Sequence, residues 1–207
     1  MSSLTQSEHD TLTSAIQSLE SKVVGELVVV VAQESDSYRY IPTVWATLGA
    51  LFLPGLYLLF FTNVDVTRFY TAQVTLFFGL LFLFQWAPIQ RWIVPKSVMR
   101  ERTARFAREQ FLAQRLHHTT DRCGVMVFIS LFEHHIEIMA DKGLADKVDN
   151  DYWQQTINDM TPLLRQGKTA TACEVAIKAV AETMVQHAPK KIDSVDRNEL
   201  PDHVIEL

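Results

Sequence analysis

Four aspartates, Asp141, Asp146, Asp149 and Asp151, crowd one short stretch of the chain. Carboxylates gathered in a loop are hard oxygen donors, suited to Ca²⁺ or Mg²⁺ and, through the ion, to a phosphate. The stretch follows a predicted strand, and ligands of α/β sheets commonly sit at the carboxyl ends of strands. Asp36 joins the set if the fold brings the loop after the first strand alongside. The plainer role is a solvated loop in which Asp149 or Asn150 caps a helix. Ca²⁺ prefers about six or more oxygens, and the sequence carries no EF-hand spacing.

Other polar candidates are sparser. His134 and His135 are adjacent, so in a strand they point to opposite faces and do not share an ion. Glu133, His135 and Glu137 share one face if the strand reaches back that far, as metal ligands or as a plain exposed face. His117 and His118 stand about 100° apart on a helix and read as solvent-facing. Ser130 lies in an apolar run without a partnered base nearby and reads as structural. The sequence has no G-x-S-x-G elbow, P-loop, H-E-x-x-H or C-x-x-C. Its two cysteines, Cys123 and Cys173, sit in apolar patterns and read as buried thiols rather than a disulfide framework.

The elements that must position these residues include two charge-free apolar stretches. One runs from Tyr40 to Val64, the other from Phe69 to Gln90. Each is long enough for the roughly 20 residues that a bilayer core requires, which predicts a transmembrane hairpin over 39–92. Trp45, Trp86 and Trp92 lie near the span ends, where amphipathic rings prefer the interface. Arg91, Lys96, Arg100, Arg102, Arg105 and Arg108 follow the second span, whereas the short intervening loop carries only Arg68. The positive-inside rule then puts both flanks in the cytoplasm, and MSSLTQSEHD lacks the pattern of a signal peptide. The basic run faces an anionic leaflet, where each charge contributes about 1 kcal/mol. Nucleic acid is a poor partner, because Glu101 and Glu109 interrupt the run and the net charge is −5.

The polar flanks fold as one domain. Thr5-Gln-Ser-Glu8 is a capping box opening an amphipathic helix that ends before Gly25. Glu26 to Val31 and Gly124 to Leu131 are continuous apolar runs, the signature of central strands buried on both faces. His135 to Ala140 alternates, with Ile136, Ile138 and Ala140 toward a core. Helices are predicted over Ser97–His118, from Asn150 to Gly167, and from a second capping box at Thr171-Ala-Cys-Glu174 to Pro189. The first two strands pair in parallel across a crossover, and the second and third pair antiparallel. The tail 190–207 either docks as an extended strand or stays loose. The fold class is thus α/β, a small mixed sheet sandwiched by helices, with an inserted transmembrane helical hairpin. The chain divides into 1–38, the spans 39–92, a second part 93–189 and the tail 190–207.

Several of these residues resemble the TPM-domain family, in its small bacterial membrane branch. They are Gly25-Glu-Leu-Val-Val-Val-Val31, Ser35-Asp-Ser-Tyr38, Gly124-Val-Met-Val-Phe-Ile-Ser-Leu131 and Ile136-Glu-Ile-Met-Ala-Asp141. Trp153, Leu163-Leu-Arg-Gln-Gly167 and Asn198-Glu-Leu-Pro-Asp202 extend the likeness over nearly the whole chain. The resemblance implies an α/β sandwich associated with a membrane; some branches are linked to phosphatase activity or calcium binding. Many relatives carry an Arg after the Glu of the strand-connecting turn, where this chain has Glu133-His134.

The expected protein sits in a bacterial inner membrane with two spans and both termini cytoplasmic. Its partners are the lipid bilayer and another membrane or cytoplasmic protein. The function expected first is a non-catalytic binding or assembly module. The alternative is a divalent-metal-dependent phosphatase on the acidic loop, with Ca²⁺ or Mg²⁺ as cofactor. A transporter subunit ranks last, because the spans hold almost no ionisable groups.

Overall fold

Thr5 caps the first helix. Its hydroxyl accepts the Glu8 N–H at 3.4 Å, while its own N–H donates to Glu8 Oε2 at 2.8 Å, the reciprocal cap expected of this pair. The Thr5 hydroxyl also donates to Glu8 Oε2 at 2.7 Å, and this bond first, then the one from the Thr5 N–H, holds the Glu8 carboxyl below the usual carboxylate range. In the computed structural model, which describes residues 4–60, 65–119, 122–190 and 204–207, this cap opens α1 (Gln6–Glu20). α1 buries Leu12, Ile16 and Leu19.

Two β-rich runs form the sheet's centre. β1 (Leu27–Ala32) pairs in parallel with β2 (Val125–Ser130), from Leu27 opposite Val125 to Ala32 opposite Ser130. β3 (His135–Ala140) pairs antiparallel with β2, His135 opposite Ser130 and Ala140 opposite Val125. The end of the tail docks: β4 (Ile205–Glu206) lies parallel to β1, giving the order β3-β2-β1-β4. Every residue of β1 and β2 is buried, as continuous apolar runs require.

The period of two separates the side chains into two cores. Val29, Val31, Val127, Ile129 and Ile136 face one side, against Leu12 and Ile16 of α1. Met160 and Leu164 of α7 (Asn150–Arg165) and Ala176 and Val180 of α8 (Thr169–His187) complete that layer. Val28, Val30, Met126 and Phe128 face the other side, against Ala107 and Phe111 of α5 (Lys96–Ala113). The sheet is therefore sandwiched by helices, with the mixed topology expected.

Between β1 and α5 stand α2 (Tyr40–Leu58), α3 (Val66–Phe84) and α4 (Ala87–Ile93). α2 and α3 are each long and apolar enough to cross a membrane. They pack on each other closely: a Cβ added to Gly49 would come 2.7 Å from Leu80 Cδ1. α3 itself buries no residue. The chain divides into two compact units, one of residues 1–35 with 100–207, the other of 36–99.

Several boundaries move. The second apolar helix stops at Phe84 instead of Gln90, because Pro88 has no N–H for the Phe84 carbonyl and its ring would clash with it; Trp86 turns extended and the chain restarts as α4 with the proline in its first turn. α5 ends at Ala113, before Arg115 takes a left-handed φ of 56° and a 3₁₀ turn covers Leu116–His118. Thr171 is not a cap. α8 begins two residues earlier, because Gly167 (φ 76°) turns the chain straight out of α7. The stretch after β3 is not all loop: it opens with a one-turn helix, α6 (Lys142–Ala145). The expected span end at Val64 and the family-like stretch Asn198–Asp202 lie outside the described residues.

Candidate functional site

The two parallel strands β1 and β2 end side by side, the place where α/β sheets commonly bind ligands. Ser130 closes β2 fully buried, and Ser35 follows β1, also buried. Ser35 Oγ donates to Ser130 Oγ at 2.9 Å, and Ser130 Oγ donates to the Glu133 carboxylate. The backbone N–H of Ser35 donates to the other oxygen of that carboxylate, at 3.0 Å. Glu133 sits in the four-residue turn between β2 and β3, where His134 takes a left-handed φ of 49°. One carboxylate thus ties the exit of β1 to the β2–β3 turn. Backbone bonds reinforce it: Leu131 N–H donates to Ala32 O and Phe132 N–H to Gln33 O, both at 2.9 Å. Gln33 N–H donates to Leu207 O at 2.8 Å, so the docked tail arrives here too.

Beside this network, His135 Nε2 lies 2.8 Å from Glu137 Oε1 on the sheet face that α5 covers. The shared face expected for His135 and Glu137 is present, and both are partly exposed. Glu133 does not extend that face; it turns back to the serines. The geometry offers a satisfied hydrogen-bond latch and an adjacent His–Glu pair, with the Ser130 hydroxyl shielded from solvent. Ser130 is fully buried, as its apolar run suggested. Its acid partner three residues on and its serine partner 95 residues away in sequence were missed. The one local signal was a lone hydroxyl ending an apolar strand, followed by a Glu in a turn.

The acidic stretch lies elsewhere. β3 runs against β2, so its carboxyl end meets the amino end of β2: Asp141 N–H donates to Gly124 O at 2.8 Å. A six-residue strand puts the two sheet ends roughly 17 Å apart. Asp36, directly after Ser35, leaves from the opposite end and does not join. Asp141 caps α6, one oxygen accepting the Lys142 N–H at 2.7 Å, the other buried without a partner among the described residues. Asp146 ends the same turn, and Asp149 caps α7, accepting the Asp151 N–H at 3.2 Å. Asp146, Asp149 and Asp151 are exposed. Among the described residues no three His, Cys, Asp or Glu gather as metal ligands would.

Of the basic residues, Lys96, Arg100, Arg105 and Arg108 are exposed, and Arg91 and Arg102 half-buried. His117 is half-buried rather than fully solvent-facing. Both cysteines are buried and free. Burial, with Glu174 adding to it, pushes the Cys173 thiol up to about 12.

Residues 89–183 match the TPM domain family. No curated protein matches the chain. Among solved structures, the chain resembles the NMR structure of BA42 protein from the psychrophilic bacterium Bizionia argentinensis. The TM-score is 0.58 at 18% identity, over 99% of this chain and 96% of that one. At that identity the likeness concerns the fold.

Proposed function

We propose that this chain, a TPM-domain protein, is a membrane-held binding or assembly module rather than an enzyme. In this reading α2 and α3 cross a bacterial inner membrane as a hairpin, and both termini are cytoplasmic. The α/β unit then works at the cytoplasmic leaflet. The carrying observation is α3, which is long and apolar enough to cross a membrane and buries none of its 19 residues. Val74, Phe78, Phe82 and Leu83 stand exposed along it, and so many large apolar side chains are at home in lipid, not at a water-facing surface. The exposed Lys96, Arg100, Arg105 and Arg108 support the assignment of the leaflet, each contributing about 1 kcal/mol against anionic lipid. The partner-binding surface is the His135/Glu137 strand.

In-cell photocrosslinking of the full chain tests it. Alanine at His135 and Glu137 abolishes partner capture, whereas alanine at Asp141 and Asp146 leaves it intact. If no reproducible crosslinked partner forms, the module reading loses its basis. One observation favours a divalent-dependent phosphatase instead, the buried, unpartnered oxygen of Asp141. Phosphate-ester hydrolysis that needs Ca²⁺ or Mg²⁺, stops with chelator and vanishes in Asp141→Asn would put that enzyme in place of the module.

A further inference from the structure

The two edges of the sheet are built differently. On one side β4 is two residues long, and edges so short template little further pairing. On the other side β3 is six residues long, contains no proline or lysine, and has only β2 as a strand neighbour among the described residues. Natural sheets guard long edges with prolines, lysines and other charges, bulges or cover. His135-Ile-Glu-Ile-Met-Ala140 holds no proline or lysine and pairs with β2 without a bulge, and its ionisable groups, His135 and Glu137, are bonded to each other.

The register fixes which groups that edge offers. Asp141 bonds to Gly124, so in the antiparallel ladder the residues bonded to β2 are Met139, Glu137 and His135. Ile136, Ile138 and Ala140 therefore aim their N–H and C=O groups away from the sheet. Ile138 and Ala140 are only partly buried, packed at the margin of the α1/α7/α8 core.

We propose that this edge pairs with the same edge of a second copy, β3 against β3 antiparallel about a two-fold axis at Ile138. This rests on the binding-module reading and names the partner at that strand. A two-fold interface must be self-complementary. The register centred on Ile138 is the one in which all three outward residues of both copies bond, giving about six hydrogen bonds. It places Ile138 opposite Ile138 and Ile136 opposite Ala140, joining the two apolar margins. On the other face it sets each His135 opposite the second copy's Asp141, and each Glu137 opposite Met139. Like charges never meet, and a base faces an acid twice. The result is a continuous sheet through both copies.

Full-length Ile138→Cys, in detergent and in membranes, tests this under mild oxidation. Facing residues of a bonded pair lie roughly 5.5 Å apart at Cα, within disulfide reach, and the native cysteines are buried. The expected result is a disulfide dimer from Ile138→Cys, none from His135→Cys alone, and one from His135→Cys mixed with Asp141→Cys. Ile138→Pro removes an outward N–H without touching the β2 ladder, so it yields a folded monomer by light scattering. Should that variant misfold, the cysteine pattern alone decides. Dimer yield at Ile138→Cys no higher than at the exposed helix position Lys178→Cys overturns the proposal. So does a photocrosslink from β3 to a different protein, which would leave the binding-module reading standing.

Discussion

Phe128 and Phe82 are the same side chain in two surroundings. Phe128 is fully buried under α5, its ring edge-on to Phe106 at 5.7 Å, while Phe82 is 85% exposed on α3. The contrast runs through both units. In the α/β unit, strands alternate between two cores and the helices keep a polar face. In α2 and α3, large apolar side chains such as Leu51, Phe52, Phe78 and Phe82 stand exposed, and α3 buries nothing. Apolar side chains do not stay in water at that density without a reason. One region is apolar because it folds inward; in the reading proposed above, the other is apolar because its solvent is a bilayer.

Breaking that contrast gives the largest expected effect. Val74→Lys with Phe78→Lys puts two charges mid-helix, each costing about 3 kcal/mol of insertion. Both positions are exposed on α3. The double variant leaves the membrane pellet on alkaline-carbonate extraction, and an unchanged distribution would argue against a lipid-facing α3. Next, Phe128→Ala should destabilise the α/β unit by about 3–5 kcal/mol, whereas Phe78→Ala leaves its denaturant midpoint in place. Then come the two sheet ends. Glu133→Ala orphans the Ser130 hydroxyl and the Ser35 N–H and should cost about 2 kcal/mol. Asp149→Ala removes only a helix cap, costing about 1 kcal/mol. Equal losses by chemical denaturation would show that the latch is no tighter than a cap.

The smallest effect is at Glu8. Its folded pKa is depressed by the Thr5 bonds, so its contribution is present above the ordinary 4.5 and is lost as pH falls through the lowered value. Amide protection at the start of α1 should fall with acidification below 4.5 and be insensitive to it in Glu8→Gln.

Much of the fold was legible because its signals are local. The capping box at Thr5, the continuous runs of β1 and β2, and the alternation of β3 each fix an element by their own chemistry. What escaped was set by distant partners or by competing turns. Thr171 has the look of a cap, but Gly167 starts α8 first. The dock of Ile205–Glu206 onto β1 depends on backbone groups that no side-chain pattern marks, with His9 Nε2 3.0 Å from the Val204 carbonyl beside it. The acidic stretch looked like a site because its aspartates are close in sequence. Three-dimensionally each serves a helix end, and the strand direction carries them to the opposite end of the sheet from Ser35 and Ser130. The Ser35–Ser130–Glu133 latch joins residues from both sides of the inserted helices, so no window of sequence contains it.

The central claim is that α2 and α3 span the membrane with the α/β unit on the cytoplasmic side. The direct test is labelling of single added cysteines by a membrane-impermeant maleimide in intact and lysed bacterial cells. Asp65, at the start of α3, and Lys178, on α8, are both exposed, and the native thiols are buried. The account predicts that Asp65→Cys is labelled in intact cells and Lys178→Cys only after lysis. Labelling of Lys178→Cys in intact cells, or of neither until lysis, would contradict it.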